Sequence, residues 1–141
     1  MRFLIIIPAH NEEQNLSFTL DSLQQQSSRD FKVVVVNDGS TDKTPEVIRK
    51  YTETDSRFET INLQKSEHQP GSKVVHAFKN GLQTQSLDEF DIICKFDADI
   101  ILPEDYLEVV ANAFINNPKF GLVGGLLYVE KEESWVYEGN S

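Results

Sequence analysis

The chain has 141 residues, 39% hydrophobic and 26% charged, enough for one domain with a core and too few for two ordinary ones. Its 13 basic and 23 acidic residues give a formal net charge of −10, which disfavours nucleic acid and anionic membrane surfaces as partners. The single cysteine, Cys94, excludes an internal disulfide and a multi-cysteine zinc site, and the apolar run Phe3 to Ile7 has the length of a strand, not of a signal or membrane-spanning segment.

Phe3-Leu4-Ile5-Ile6-Ile7 reads as a strand covered on both faces, with Pro8 ending its ladder. A polar elbow follows, Ala9-His10-Asn11-Glu12-Glu13, in which Asn11 is a candidate helix N-cap and the two glutamates suit a first turn. Leu16, Leu20 and Leu23 then recur at helical spacing. Phe31 to Val36 predicts a second buried strand, which ends in the turn-forming run Asn37-Asp38-Gly39-Ser40-Thr41-Asp42. A helix with Pro45 in its first turn carries Val47, Ile48 and Tyr51 on one side, and Phe58 to Leu63 predicts a third strand. Gln64 to Ser72, with its Pro70-Gly71, reads as a loop. Val75, Phe78 and Leu82 mark a helix from about Ser72 to Gln85, with Gly81 as its weak point.

Ile92 to Phe96 predicts a strand buried inside a sheet, which runs directly into Asp97-Ala98-Asp99. Pro103-Glu104-Asp105 opens a helix whose Leu107, Val110, Ala111 and Phe114 share one face, and which stops at Asn117-Pro118. Phe120 to Val129 reads as a last strand, loosened by Gly121, Gly124 and Gly125. Strand and helix alternate throughout, which specifies an α/β layered fold with a mostly parallel sheet. Ligands bind beyond the carboxyl ends of such strands, and three polar elbows fall at those ends. Their convergence is the basis of the site prediction.

Asp97 and Asp99 have the two-residue period of an extended chain and can face the same way. Two like charges held together repel, and a divalent metal carrying a phosphate-bearing ligand resolves that repulsion. Asp38 can accept from a ligand N–H such as a pyrimidine imide, with Gly39 allowing close approach of the backbone. The plainer reading of the same run is a turn capped by Asp42 or Thr44. Glu12 can take ribose hydroxyls, and Lys73, just after Pro70-Gly71-Ser72, can meet a phosphate at a helix N-terminus, although the spacing is not that of a Walker loop. His10 read alone is a loop histidine. His68 and His76 show no metal-ligand spacing, and Cys94 reads as a buried strand thiol.

Taken together, Ile7-Pro8-Ala9-His10-Asn11-Glu12-Glu13, Val35 to Asp42, Gly71-Ser72-Lys73 with Asn80-Gly81-Leu82, and Phe96-Asp97-Ala98-Asp99 followed by Pro103 resemble the family 2 glycosyltransferases, inverting enzymes with the GT-A fold. The resemblance runs from Ile5 to about Val129. It implies a three-layer, Rossmann-like sandwich and a nucleoside-diphosphate-sugar donor, UDP-linked, with a glycan, lipid or small molecule as acceptor. The implied nucleotide pocket comprises Pro8, Ala9, His10, Asn11, Glu12, Asp38, Gly39, Ser40, Lys73, Asp97 and Ala98. Within it Asp38 meets the base, Asp97 lies near the ribose or sugar, and Asp99 coordinates Mn²⁺ or Mg²⁺ with the diphosphate.

Asn37 stands where many members carry a first acid, and the family's later catalytic base has no clear counterpart: Glu132-Glu133 and Trp135 come close after the last strand. Residues 1–129 are therefore expected to be the nucleotide-sugar-binding domain and 130–141 the start of an acceptor-side region, cut short. Localisation is expected to be cytoplasmic or at the cytoplasmic face of a membrane. A binding module without turnover is the alternative. A haloacid-dehalogenase-like phosphatase would place its Asp-x-Asp near the start of the chain, and a sugar nucleotidyltransferase would need a Gly-rich loop where Pro8-Ala9-His10-Asn11 stands.

Overall fold

A computed structural model describes residues 1–64, 70–117, 127–131 and 134–138, with side chains described over 1–64 and 74–117. Residues Met1–Glu108 form one compact unit and Val109–Ser141 a second. The first unit is built on β1 (Phe3–Ala9), β2 (Phe31–Asp38), β3 (Phe58–Leu63) and β4 (Ile92–Lys95), which form a four-stranded sheet in the order β3-β2-β1-β4. Every pairing in it is parallel. The expected sheet is present, and among the described strands it is parallel throughout.

The continuous apolar runs of β1 and β2 are explained by cover on both faces: residues 3–7 and 33–36 are fully buried. Helix α3 (Pro70–Gln83) lies over Leu4, Ile6, Val34 and Val36, with Ala77, Phe78 and Leu82 packed onto them. The opposite face carries α1 (Leu16–Gln24) and α2 (Thr44–Thr52). Tyr51 of α2 stacks 5.8 Å from Phe58, which pairs in register with Val33, and the Tyr51 hydroxyl donates to Asp21 of α1 at 2.7 Å. The result is an α/β/α sandwich. Helix α4 (Tyr106–Asn116) follows β4.

Several boundaries differ from expectation. Pro8 does not end β1, which pairs with β2 through Ala9. The Ile6 carbonyl accepts from Phe96 N, so residues 4, 6 and 8 direct their backbone groups towards β4, and β4 has ended before Pro8 is reached. The missing N–H therefore costs no ladder bond. β4 is an edge strand among those described, with Ile93 43% exposed, so it is less enclosed than its composition suggests. Helix α3 starts at Pro70, inside the expected loop, while residues 65–69 of that loop lie outside the described ones.

Gly81 is a packing requirement, not a weak point: a Cβ there would stand 2.8 Å from Ile6 Cγ2 and 3.0 Å from Val36 Cγ2. In the second unit, β5 (Leu127–Lys131) and β6 (Ser134–Glu138) form an antiparallel hairpin. The expected last strand coincides with β5 over 127–129, its earlier residues lying outside the described ones, and it has a partner that periodicity did not reveal. Residues 118–126 lie outside the described ones. Among the described residues no helix is long and apolar enough to cross a membrane.

Candidate functional site

The elbow after β1 and the elbow after β2 are bonded to each other, side chain to backbone. His10 Nδ1 lies 2.7 Å from the Asp38 carbonyl oxygen, and a carbonyl only accepts, so Nδ1 carries the proton. Asn11 takes the left-handed conformation at φ 52°, which asparagine tolerates better than most residues. Its N–H donates to Ser40 Oγ at 3.1 Å, and its Oδ1 accepts from Thr41 N at 2.8 Å. Glu12 N donates to Thr44 Oγ1 at 2.9 Å, and Glu13 N to Asp42 Oδ2 at 3.3 Å.

This arrangement replaces the expected helix start. Asn11 caps no helix, and α1 begins only at Leu16, after a turn in which Leu16 N and Asn15 N both reach the Glu12 carbonyl. The following helix has Lys43 at its N-cap with no side-chain cap bond, in place of the expected Asp42 or Thr44; Asp42, one residue earlier, accepts from Thr44 N at 2.9 Å through Oδ1. Desolvation works against ionisation of Asp42, but the bonds from Thr44 and from Glu13 N prevail and hold its pKa low.

Asn37, the position read as a departure, is buried and uses both ends of its amide. Nδ2 donates to Asn62 Oδ1 at 3.0 Å, and Oδ1 accepts from Ser40 N at 3.3 Å. A carboxylate there could not make the first bond. Gly39, at φ 63°, lets the chain turn sharply between Asp38 and Ser40.

The third elbow leaves the sheet at Phe96. Phe96 and Ala98 are buried while Asp97 and Asp99 are exposed, so the two carboxylates do share a side. Lys95 Nζ lies 3.6 Å from Asp97 Oδ1, an exposed pair of small energetic weight. Phe96 fixes the root of the turn edge-to-face against Tyr106, with ring centroids 5.7 Å apart.

A cleft of about 480 Å³ opens at this end of the sheet, lined by Pro8, Ala9, His10, Glu12, Asp38, Val74, Ala77, Asp97, Ala98 and Asp99. It brings together most of the residues singled out from sequence. Asn11 and Ser40 lie behind it and hold the elbows together. Lys73 lies in the first turn of α3, and its side chain is outside the described residues. Val74 and Ala77 were missed; with Gly81 they follow the 3–4 spacing of one helix face, the signal that could have found them.

Two features give the cleft its chemistry. Asp38 Oδ1 is buried and has no hydrogen-bond partner among the described residues, an acceptor that a ligand donor would satisfy. The Glu12 pKa is raised, first by burial of its carboxyl and then by the charge of Asp99, with Asp42 and Asp97 adding to it and a bond from Asn15 opposing it. Cys94 contributes no reactive thiol, because burial pushes it up to about 12. Among the described residues, no three Asp, Glu, His or Cys side chains come together in a group able to hold a metal unaided.

A family model described as Glycosyl transferase family 2 matches residues 4–140. Among curated relatives, Glycosyltransferase GlyA of Streptococcus pneumoniae is 27% identical over 136 residues, 96% of this chain and 18% of its own length. The Poly-beta-1,6-N-acetyl-D-glucosamine synthase of Staphylococcus aureus is 27% identical over 120 residues, 85% of this chain and 27% of its own. Among solved structures, S. aureus TarS in complex with UDP-GlcNAc matches with a TM-score of 0.68 at 25% identity, over 84% of this chain and 32% of the TarS chain. The mannosyltransferase PcManGT of Pyrobaculum calidifontis, in complex with GDP-Man and Mn²⁺, matches with a TM-score of 0.65 at 27% identity, over 80% of this chain and 32% of its own. The chain thus spans roughly a fifth to a third of the length of these proteins.

Proposed function

The chain belongs to glycosyl transferase family 2 and has the GT-A fold, and we propose that its cleft holds a nucleoside-diphosphate-sugar donor for inverting transfer of the sugar to a glycan, lipid or small-molecule acceptor. The observation that carries this reading is Asp38 Oδ1 in the cleft wall, buried and without a partner among the described residues. A uracil imide N–H is the donor it lacks, which favours a UDP-linked sugar. The backbone at Pro8 and Ala9 gives a flat wall for the base, and Glu12 meets the ribose hydroxyls.

The carboxylates fit a hard divalent cation, Mn²⁺ or Mg²⁺. Glu12, Asp97 and Asp99 line one cleft, and the mutual charge felt at Glu12 marks a shortage of positive charge there. Asp99 would hold the ion, which completes its shell from donor phosphates and water, as such ions do at phosphate sites. When bound, the ion stabilises the negative charge that develops on the departing diphosphate. Asp97 orients the ribose or sugar, and the elbow amides keep the base fixed while the sugar is transferred. On this reading residues 1–129 are the donor-binding domain and 130–141 lead into the acceptor side.

Titration calorimetry with UDP, GDP and CDP, each with and without Mn²⁺, beside a donor-hydrolysis assay, tests the proposal. Metal-dependent binding of UDP supports it. No binding of any nucleoside diphosphate would sink it. A second reading is a nucleotide-sugar-binding module without turnover: the acids lining the cleft among the described residues are Glu12, Asp38, Asp97 and Asp99, and if the donor and its ion take up all four, none of them is left to activate an acceptor hydroxyl. Binding with neither hydrolysis nor transfer would select it.

A further inference from the structure

We propose that Ser22 of α1 and Gln26, just past its end, both outside the cleft lining, are positioning residues for the Asp97–Asp99 turn. The inference rests on the reading that Asp99 holds the cation. After Phe96 N bonds to the Ile6 carbonyl the chain leaves the sheet, and it regains regular structure only at Tyr106. Between those points α1 and the residues after it supply the anchors. Leu102 N donates to Ser22 Oγ at 3.1 Å. Gln26 Nε2 donates to the Pro103 carbonyl at 2.6 Å, and Gln26 Oε1 accepts from Leu107 N at 3.0 Å. Ser27 N adds a bond to the Glu104 carbonyl at 2.8 Å.

Gln26 is 1% exposed and Ser22 7%, so water cannot replace these bonds. Leu107 N belongs to the first turn of α4, where no intrahelical acceptor exists, and Gln26, just past the end of α1, caps it. The Asp97–Asp99 turn is therefore suspended between two fixed points, the end of β4 and the buried Gln26 amide just past α1.

The test uses the full chain with Gln26→Met, Gln26→Glu and Ser22→Ala. Affinity for UDP in Mn²⁺ should fall about tenfold in Gln26→Met, while metal-free affinity for uridine, carried by the Asp38 elbow, stays within about twofold. Gln26→Glu keeps an acceptor for Leu107 N but cannot donate to Pro103, and should fall between Gln26→Met and the parent. Hydrogen exchange should quicken at amides 98–102 and stay slow across 9–13 and 37–44. Equal loss of UDP and uridine affinity, or exchange quickened everywhere, would show general destabilisation and overturn the proposal, as would unchanged behaviour in Ser22→Ala, the mildest of the three. If the parent chain showed no Mn²⁺-dependent UDP binding, the donor reading would fail, and the exchange pattern would still decide whether the clamp holds the turn.

Discussion

The elbows after β1 and β2 are stitched to each other beside the cleft, whereas the turn after β4 is anchored from outside it. At the first end, His10, Asn11, Ser40, Asp42 and Thr44 join two loops about thirty residues apart in sequence, and the buried Asp38 acceptor is presented on that frame. At the second end, two exposed carboxylates stand on a short turn, and the bonds that hold it come from α1 and the residues just after it. On the proposed reading the first end would take the base and the second, a charged edge, would take its final geometry from a cation, so binding should proceed from a rigid base pocket to an adjustable diphosphate site.

Asp99→Ala should break the contrast most severely: UDP affinity in Mn²⁺ should drop to its metal-free value, measured by calorimetry with and without the ion. Undiminished metal dependence would remove Asp99 from the ion site. Asp38→Asn swaps a charged acceptor for a neutral amide and should weaken uridine and UDP alike, by about tenfold, with metal dependence intact. Asn11→Ala loses the Thr41 N–H acceptor and places alanine at φ 52°, which should lower stability by about 1–2 kcal/mol in urea denaturation. Asn11→Gly should recover only the backbone part.

The smallest effect concerns Glu12, which belongs to the rigid end but feels the charge of the other. Its folded-state pKa lies above 4.5, so its contribution favours folding when protonated and is lost as pH rises through the folded value. Glu12→Gln should therefore raise the Tm of the ligand-free chain at about pH 7 and leave it nearly unchanged at about pH 4. A gain of equal size at both pH values would mean that charge is not the cause.

The β1 and β2 strands were legible because buried parallel strands advertise themselves as near-continuous runs of Ile and Val, and β3 because Phe58, Ile61 and Leu63 recur among polar residues. The three elbows were legible because Pro, Asn, Asp, Gly and Ser cluster at the strand ends. What escaped reading was whatever depends on a distant partner. Asn11 looks like a helix cap until Thr41 and Ser40 are placed beside it, and the Glu12 and Glu13 amides, free in a sequence, are engaged by Thr44 and Asp42. Gln26 reads as one more polar residue in Gln24-Gln25-Gln26, since its acceptor and donor partners lie 77 and 81 residues away. Pro8 was misjudged because its tolerance depends on where a neighbouring strand stops.

Gly81 sets a dimension of the cleft without entering it. With no side chain between helix and sheet, α3 settles against Ile6 and Val36, and the same face brings Ala77 and Val74, one and two turns earlier, down to form a wall of the cleft. A methyl group at position 81 would jack the helix off the sheet and move that wall outward with it, opposite Asp38 and the acid pair. The gauge of the opening, and with it the thickness of the ligand it can grip, is thus set by an absent atom below its floor.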